Sequence, residues 1–126
     1  MVFNLTIPVT IVSYHFLEFR HGPKALVDQN TMVVGMIGAE HFRHEAAVIS
    51  EMAEMGGKTV TLVSGKANAG HVTVHLPDNI PAWTLPVLYL PVVQSMAHAR
   101  AMEKGLDPDN PRNLSAVVFL ERSELR

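Results

Sequence analysis

The stretch TMVVGMIG, residues Thr31 to Gly38, is a β-branched and methionine-rich run with hardly a polar side chain. A strand that is apolar on both faces is typical of a parallel sheet, because crossover helices cover both sides of such a sheet. The run therefore predicts a buried strand of an α/β fold, and the flanking segments can be placed relative to it.

An amphipathic helix is predicted directly after this strand. From Ala39 to Met55 apolar residues recur at helical spacing, and Gly56-Gly57 follows in the position of a helix C-cap. The apolar positions are Phe42, Ala46, Ile49, Met52 and Ala53.

Two further strands are predicted after the helix. Thr59 to Ser64 reads TVTLVS, and His71 to Leu76 follows the turn-rich stretch Gly65 to Gly70. The order strand, helix, strand fits a right-handed crossover between parallel strands. A last apolar segment, Leu85 to Lys104, becomes helix-like from Val92 onward, because prolines interrupt its first turns.

These elements predict an α/β fold, an αβα sandwich with a short parallel sheet. The length of 126 residues and an apolar content of 48% fit one globular domain, residues 1–126. Only about three strands are identified, whereas a typical sheet has about five or six. We therefore expect an incomplete sheet, and a chain that represents part of a larger natural domain or pairs with another chain.

Composition excludes several classes of function. The net charge of -2 provides too little positive field for nucleic acid to be a partner. No cysteine is present, which excludes disulfides, thiolate zinc sites and cysteine nucleophiles and makes a cytoplasmic location the default. The apolar stretches Met1–Phe19 and Trp83–Met96 fit neither a signal peptide nor a membrane span, so no membrane partner is expected.

The most informative short motif is EFRHGP, Glu18 to Pro23. It joins an acid, a cation and an imidazole to a Gly-Pro pair that forces a turn. A histidine there can move protons during an aldose–ketose reaction, because its unperturbed pKa is close to neutral. The alternative is a histidine hydrogen-bonded to backbone within a loop, and the motif alone leaves both interpretations open.

Other polar groups indicate a functional site less strongly. The pairs His41 and His44 on the helix and His71 and His75 on a strand have spacings that occur in metal sites, but a solvated face explains each of them, and no metal or other cofactor is expected. Ser64-Gly65-Lys66 resembles a phosphate-binding loop in composition, yet no helix clearly begins after it.

Two stretches together resemble the sugar isomerase (SIS) domain family. They are LEFRHGPKALVDQNTMVV, from Leu17 to Val34, and KGLDPDNPRNLSAVV, from Lys104 to Val118, in the order found in the isomerase half of glucosamine-6-phosphate synthase. The resemblance covers most of the chain but not residues 1–13. It implies a parallel-sheet αβα sandwich, a phosphorylated sugar as ligand, and dimers that share active sites.

The resemblance also implies roles for particular residues. His21 corresponds to the family histidine associated with sugar-ring opening, and Glu18 to the acid of the same motif, so both are the candidate catalytic residues. Arg20, Gly22 and Asn113 are the candidate substrate-binding residues.

Two departures bear on catalysis. The family's catalytic-base glutamate lies one helix before the motif, and no acid precedes Glu18 in this chain. The synthase's near-terminal lysine is replaced by the run Ser115-Ala116-Val117. Whether the chain is an enzyme is therefore left open. We expect a phosphosugar-binding SIS module that is incomplete for catalysis and forms a homodimer, with a non-catalytic interaction or regulatory subunit as the alternative.

Overall fold

A computed structural model describes residues 11–110 of the chain. Among these residues are three α-helices, α1 (Phe16–Arg20), α2 (Phe42–Glu54) and α3 (Leu85–Glu103). The strands are β1 (Met32–Ile37), β2 (Lys58–Ser64) and β3 (Val72–Leu76), and short 3-10 turns cover Pro23–Leu26 and Ala82–Thr84. Residues Ser13–Val93 form one compact unit, while 11–12 and 94–110 belong to another.

The three strands form one parallel sheet in the order β1-β2-β3. Val60 of β2 lies between Val34 of β1 and Val72 of β3, which fixes the register of both pairs. The predicted α/β class and all three strands are confirmed, with ends that differ from the predicted ones by no more than a residue or so.

Helix α2 covers one face of the sheet through its apolar stripe. Val48, Ile49 and Met52 are buried on this helix, and Ile49 joins Ile37, Val63 and Ala69 in the core. The helix ends where the glycine pair predicted it: Gly56 has a φ of 94°, a left-handed conformation that glycine adopts without strain. The Gly57 N–H then donates to the Met52 carbonyl at 3.1 Å.

The connection between β2 and β3 is unusually short for parallel strands. Such strands normally need a crossover of a dozen or more residues, usually a helix. Here only Gly65–His71 lies between them, and none of these residues is helical.

Buried threonines tie this connection to the sheet. The Thr61 hydroxyl donates to the Ala69 carbonyl at 2.6 Å, and the Thr73 hydroxyl donates to the same oxygen at 2.8 Å. The Thr59 N–H donates to His71 Nδ1 at 3.2 Å, and the His71 N–H donates to Thr59 Oγ1 at 2.9 Å. Backbone polar groups that a helix would satisfy are thus satisfied by side chains of the neighbouring strands.

Helix α3 begins seven residues earlier than the helix-like pattern from Val92 predicted, at Leu85. Pro86 is compatible with this start, because residues in the first turn have no intrahelical acceptor for their N–H groups. Pro91 lies inside the helix, where its missing N–H removes one hydrogen bond of the ladder. Within residues 11–110, no helix is both long and apolar enough to cross a bilayer.

Candidate functional site

The predicted motif lies on an exposed turn between α1 and the following 3-10 turn. Helix α1 ends at Arg20, and Pro23 begins the 3-10 turn, so His21 and Gly22 occupy the bend. The His21 N–H donates to the Glu18 carbonyl at 3.2 Å, which closes the last turn of α1. The predicted break at Gly-Pro is confirmed, and the imidazole of His21 is exposed.

Glu18 lies within α1 and His21 caps its carboxyl end, but the surroundings of the two side chains differ. The backbone N–H of His15 donates to Glu18 Oε2, with 3.4 Å between the nitrogen and the oxygen, so the Glu18 side chain turns back toward the start of its own helix. Tyr14 and Phe19 contact each other with ring centroids 5.5 Å apart and support this segment. His21, in contrast, has no side-chain hydrogen bond to another described residue, which leaves its imidazole available to a ligand.

The two cations of the segment are joined to helix α2. Arg20 Nε lies 2.9 Å from Glu51 Oε2, and Lys24 Nζ lies 2.6 Å from Glu51 Oε1. The hydrogen bond from Lys24, reinforced by the positive charges of Lys24 and Arg20, lowers the pKa of Glu51 against the opposing effect of burial.

Glu51 is the site residue that sequence reasoning missed. Its position on the polar side of α2 predicts a solvated carboxylate, and no local spacing links it to Arg20 or Lys24. Two cations around one turn, Arg20 and Lys24, indicate an acid nearby. The sequence does not identify which acid, because the contact joins distant parts of the chain.

Two of the other histidine candidates serve the β2–β3 connection. His71 bonds Thr59 as described above, and His75 has Nδ1 2.8 Å from the Gly65 carbonyl and Nε2 3.0 Å from Asn68 Oδ1. Among residues 11–110 there is no group of three or more His, Asp or Glu side chains that could hold a metal ion.

The Ser64-Gly65-Lys66 stretch lies at the carboxyl end of β2, beside an open hollow of about 390 Å³. Gly65, Lys66, His75, Leu76, Pro77 and Asp78 line it. The chain continues from the loop into β3 rather than into a helix. The helix N-terminus that strengthens phosphate-binding loops is therefore missing here.

Arg20 and Gly22 lie with His21 on the turn, whereas Asn113 lies outside the described residues, as does the rest of the PRNL motif. The structure thus places Glu18, Arg20, His21 and Gly22 on one short segment, which Arg20 and Lys24 join to Glu51 of α2.

Fold and turn together define a parallel α/β protein with an exposed His-Gly-Pro turn. No protein-family model matches the chain. It is 35% identical over 112 residues to a glutamine–fructose-6-phosphate aminotransferase (isomerizing) from Mesorhizobium japonicum, a match that covers 82% of this chain and 18% of that protein. The corresponding enzyme of Lactiplantibacillus plantarum is 34% identical over 105 residues, 82% of this chain and 17% of the enzyme.

A solved structure gives the same result. The C-terminal domain of glucosamine-fructose-6-phosphate aminotransferase from Francisella tularensis matches with a TM-score of 0.65 and 26% identity, over 75% of this chain and 28% of that one. The chain is therefore a relative of the glutamine–fructose-6-phosphate aminotransferases, which confirms the predicted SIS resemblance. It spans less than a fifth of the length of the curated relatives that it matches.

Proposed function

We propose that this chain is a phosphosugar-binding SIS module whose ligand contacts the exposed turn Glu18–Lys24. The observation that carries the proposal is the placement of His21 on that turn, with an available imidazole, in a chain related to enzymes named for fructose 6-phosphate. His21 and Glu18 are the proposed catalytic residues of the site. Arg20, Gly22 and Asn113 are the proposed substrate contacts.

Titration calorimetry with fructose 6-phosphate and glucosamine 6-phosphate tests the binding. We expect saturable binding of at least one hexose phosphate and much weaker binding of fructose, which lacks the phosphate. Failure of every hexose phosphate to bind would contradict the proposal.

Catalysis by the chain alone is expected to be very weak. Transfer of a proton between the two carbons of an enediol needs a positioned base, and general acid–base catalysis is worth about 10² to 10⁴ in rate. Glu18 is the nearest acid in sequence to His21, but its carboxylate approaches the backbone N–H of His15 at the start of its own helix.

An assay of fructose 6-phosphate and glucose 6-phosphate interconversion decides this point. It compares the wild-type chain with the Glu18→Gln and His21→Ala variants. Rapid turnover that is lost in Glu18→Gln would show that the chain is a complete isomerase with Glu18 as its base, contrary to our expectation.

A second candidate function is that of an interaction subunit, which forms a homodimer or joins a longer SIS relative in the cytoplasm. The observation that favours it is β1, which pairs with a strand on one side only among the described residues and exposes Met32 and Met36. Unpaired strand edges and exposed apolar side chains are typical of contact surfaces. Sedimentation at micromolar concentration is expected to show a dimer, and a monomer would argue against this function.

A further inference from the structure

One carboxylate of α2 holds both cations that flank the His21 bend. Glu51 Oε2 contacts Arg20 Nε at 2.9 Å, and Glu51 Oε1 contacts Lys24 Nζ at 2.6 Å. Because Arg20 precedes the bend and Lys24 follows it, the carboxylate joins the two ends of His21-Gly22-Pro23 to a helix of the core.

The carboxylate is better shielded than its partners. The Glu51 side chain is 27% exposed, against 49% for Arg20 and 36% for Lys24. Its Oε2 is removed from solvent, and among the described residues it has the ion pair with Arg20 but no hydrogen bond. A single exposed ion pair contributes little to folding, because solvent screens it and two long side chains must be ordered. Two cations on one carboxylate instead restrict the positions of the side chains, because each cation limits where the carboxylate can hold the other.

The contact with Arg20 leaves part of the guanidinium available. Glu51 contacts Nε, and no described residue pairs with the two terminal nitrogens of Arg20. A guanidinium presents five N–H donors in a fixed fork that matches a phosphate. The terminal nitrogens can therefore contact an anion while Nε remains on Glu51.

We propose that Glu51 is a positioning residue of the phosphosugar site, which orients the Arg20 guanidinium toward the ligand and fixes the bend that carries His21. This inference rests on the proposed function, because it names a residue that acts through the ligand-contacting turn without touching the ligand itself.

The first experiment needs no ligand. Amide hydrogen exchange at His21 and Ala25 reports the bend, since their N–H groups donate to the Glu18 and Gly22 carbonyls. In Glu51→Gln we expect exchange at both amides to become roughly three- to ten-fold faster, because local opening becomes easier. Glu54→Gln is the matched control, an exposed acid of the same helix without an ion pair to a described residue. Equal exchange in the three proteins would overturn the proposal.

The second experiment separates orientation from stability through Arg20→Lys. Lysine has one terminal nitrogen, so it cannot contact Glu51 and a phosphate in the way that arginine does. We expect Glu51→Gln and Arg20→Lys each to weaken fructose 6-phosphate binding by about tenfold, and the double variant to be no weaker than either one. Additive losses would show that Glu51 does not act through Arg20 and would overturn the proposal.

The two experiments also distinguish the failure of this inference from that of the proposed function. If the wild-type chain binds no hexose phosphate, the proposed function is wrong, and the exchange rates still decide whether Glu51 fixes the bend. If the wild type binds and Glu51→Gln binds equally well, the proposed function stands and the role of Glu51 is refuted.

Discussion

The β2–β3 connection and the His21 turn are both short irregular segments with polar side chains, but they differ in burial. The connection is held by Thr59 and Thr61 of strand β2, which are buried and hydrogen-bond to the loop residues His71 and Ala69. On the turn, neither α1 nor the 3-10 turn Pro23–Leu26 has a buried residue. The connection therefore supports the fold, whereas the turn is exposed, as the proposed ligand contact requires.

The energetic reason for this difference is desolvation. A buried hydroxyl or backbone group that lacks a partner costs about 1–3 kcal/mol. Removal of a hydrogen-bond partner in the connection should therefore lower the free energy of unfolding. Polar groups of the turn are hydrated when they lose a partner, and substitutions there should change ligand binding more than stability.

Gly70→Ala should have the largest effect. Gly70 has a φ of +72°, and an added Cβ would lie 2.7 Å from Thr59 Oγ1 and 3.0 Å from a methyl carbon of Ile49. Strain at positive φ and overpacking together should destabilise the protein by about 2–4 kcal/mol, measured by urea unfolding. Gly38→Ala, which meets no atom within 4 Å, is the control.

The stability of a variant of the turn tests the same contrast from the other side. The free energy of unfolding of His21→Ala should lie within about 0.5 kcal/mol of the wild-type value, as is usual for surface substitutions. If it destabilised the protein as much as Gly70→Ala, the turn would be part of the structural core, and the contrast between the two segments would be wrong.

Thr61→Val should have an intermediate effect. The valine is similar in shape, but it removes the donor to the Ala69 carbonyl, which then keeps only the Thr73 hydroxyl at 2.8 Å. We expect a loss of about 1–2 kcal/mol in the free energy of unfolding. An unchanged urea midpoint would mean that Thr73 alone satisfies the loop, and Thr61→Val combined with Thr73→Val would test that reading.

Asp28 should show the smallest effect, and its effect should depend on pH. Its carboxylate accepts the Asn30 N–H at 2.8 Å and the Thr31 hydroxyl at 2.9 Å, and these hydrogen bonds lower its pKa from the ordinary 3.8. The stabilisation is therefore present above about pH 3.8 and lost as the pH falls through the lowered pKa. The urea midpoints of wild type and Asp28→Ala should differ slightly at pH 7 and converge in acid, and a difference that grows in acid would contradict this.

Much of the fold could be predicted because buried faces of helices and strands require apolar residues at regular spacing along the sequence. The apolar run of β1, the helical spacing of α2 and the glycine pair after it each follow from local rules, and each is confirmed. The start of α3 was predicted too late. Prolines oppose a helix in general, but Pro86 falls in the first turn, where its missing N–H removes no hydrogen bond.

The sequence by itself determined the α/β class, the SIS resemblance and the bend that carries His21, because hydrophobic period and Gly-Pro chemistry act within a few residues. Only the tertiary structure decided that Glu51 joins Arg20 to Lys24, and that Thr59 and Thr61 hydrogen-bond to the short β2–β3 connection. These contacts join residues far apart along the chain. The sequence around a polar residue is the same whether its partner is water or a distant residue. The partner is therefore known only once the chain is folded.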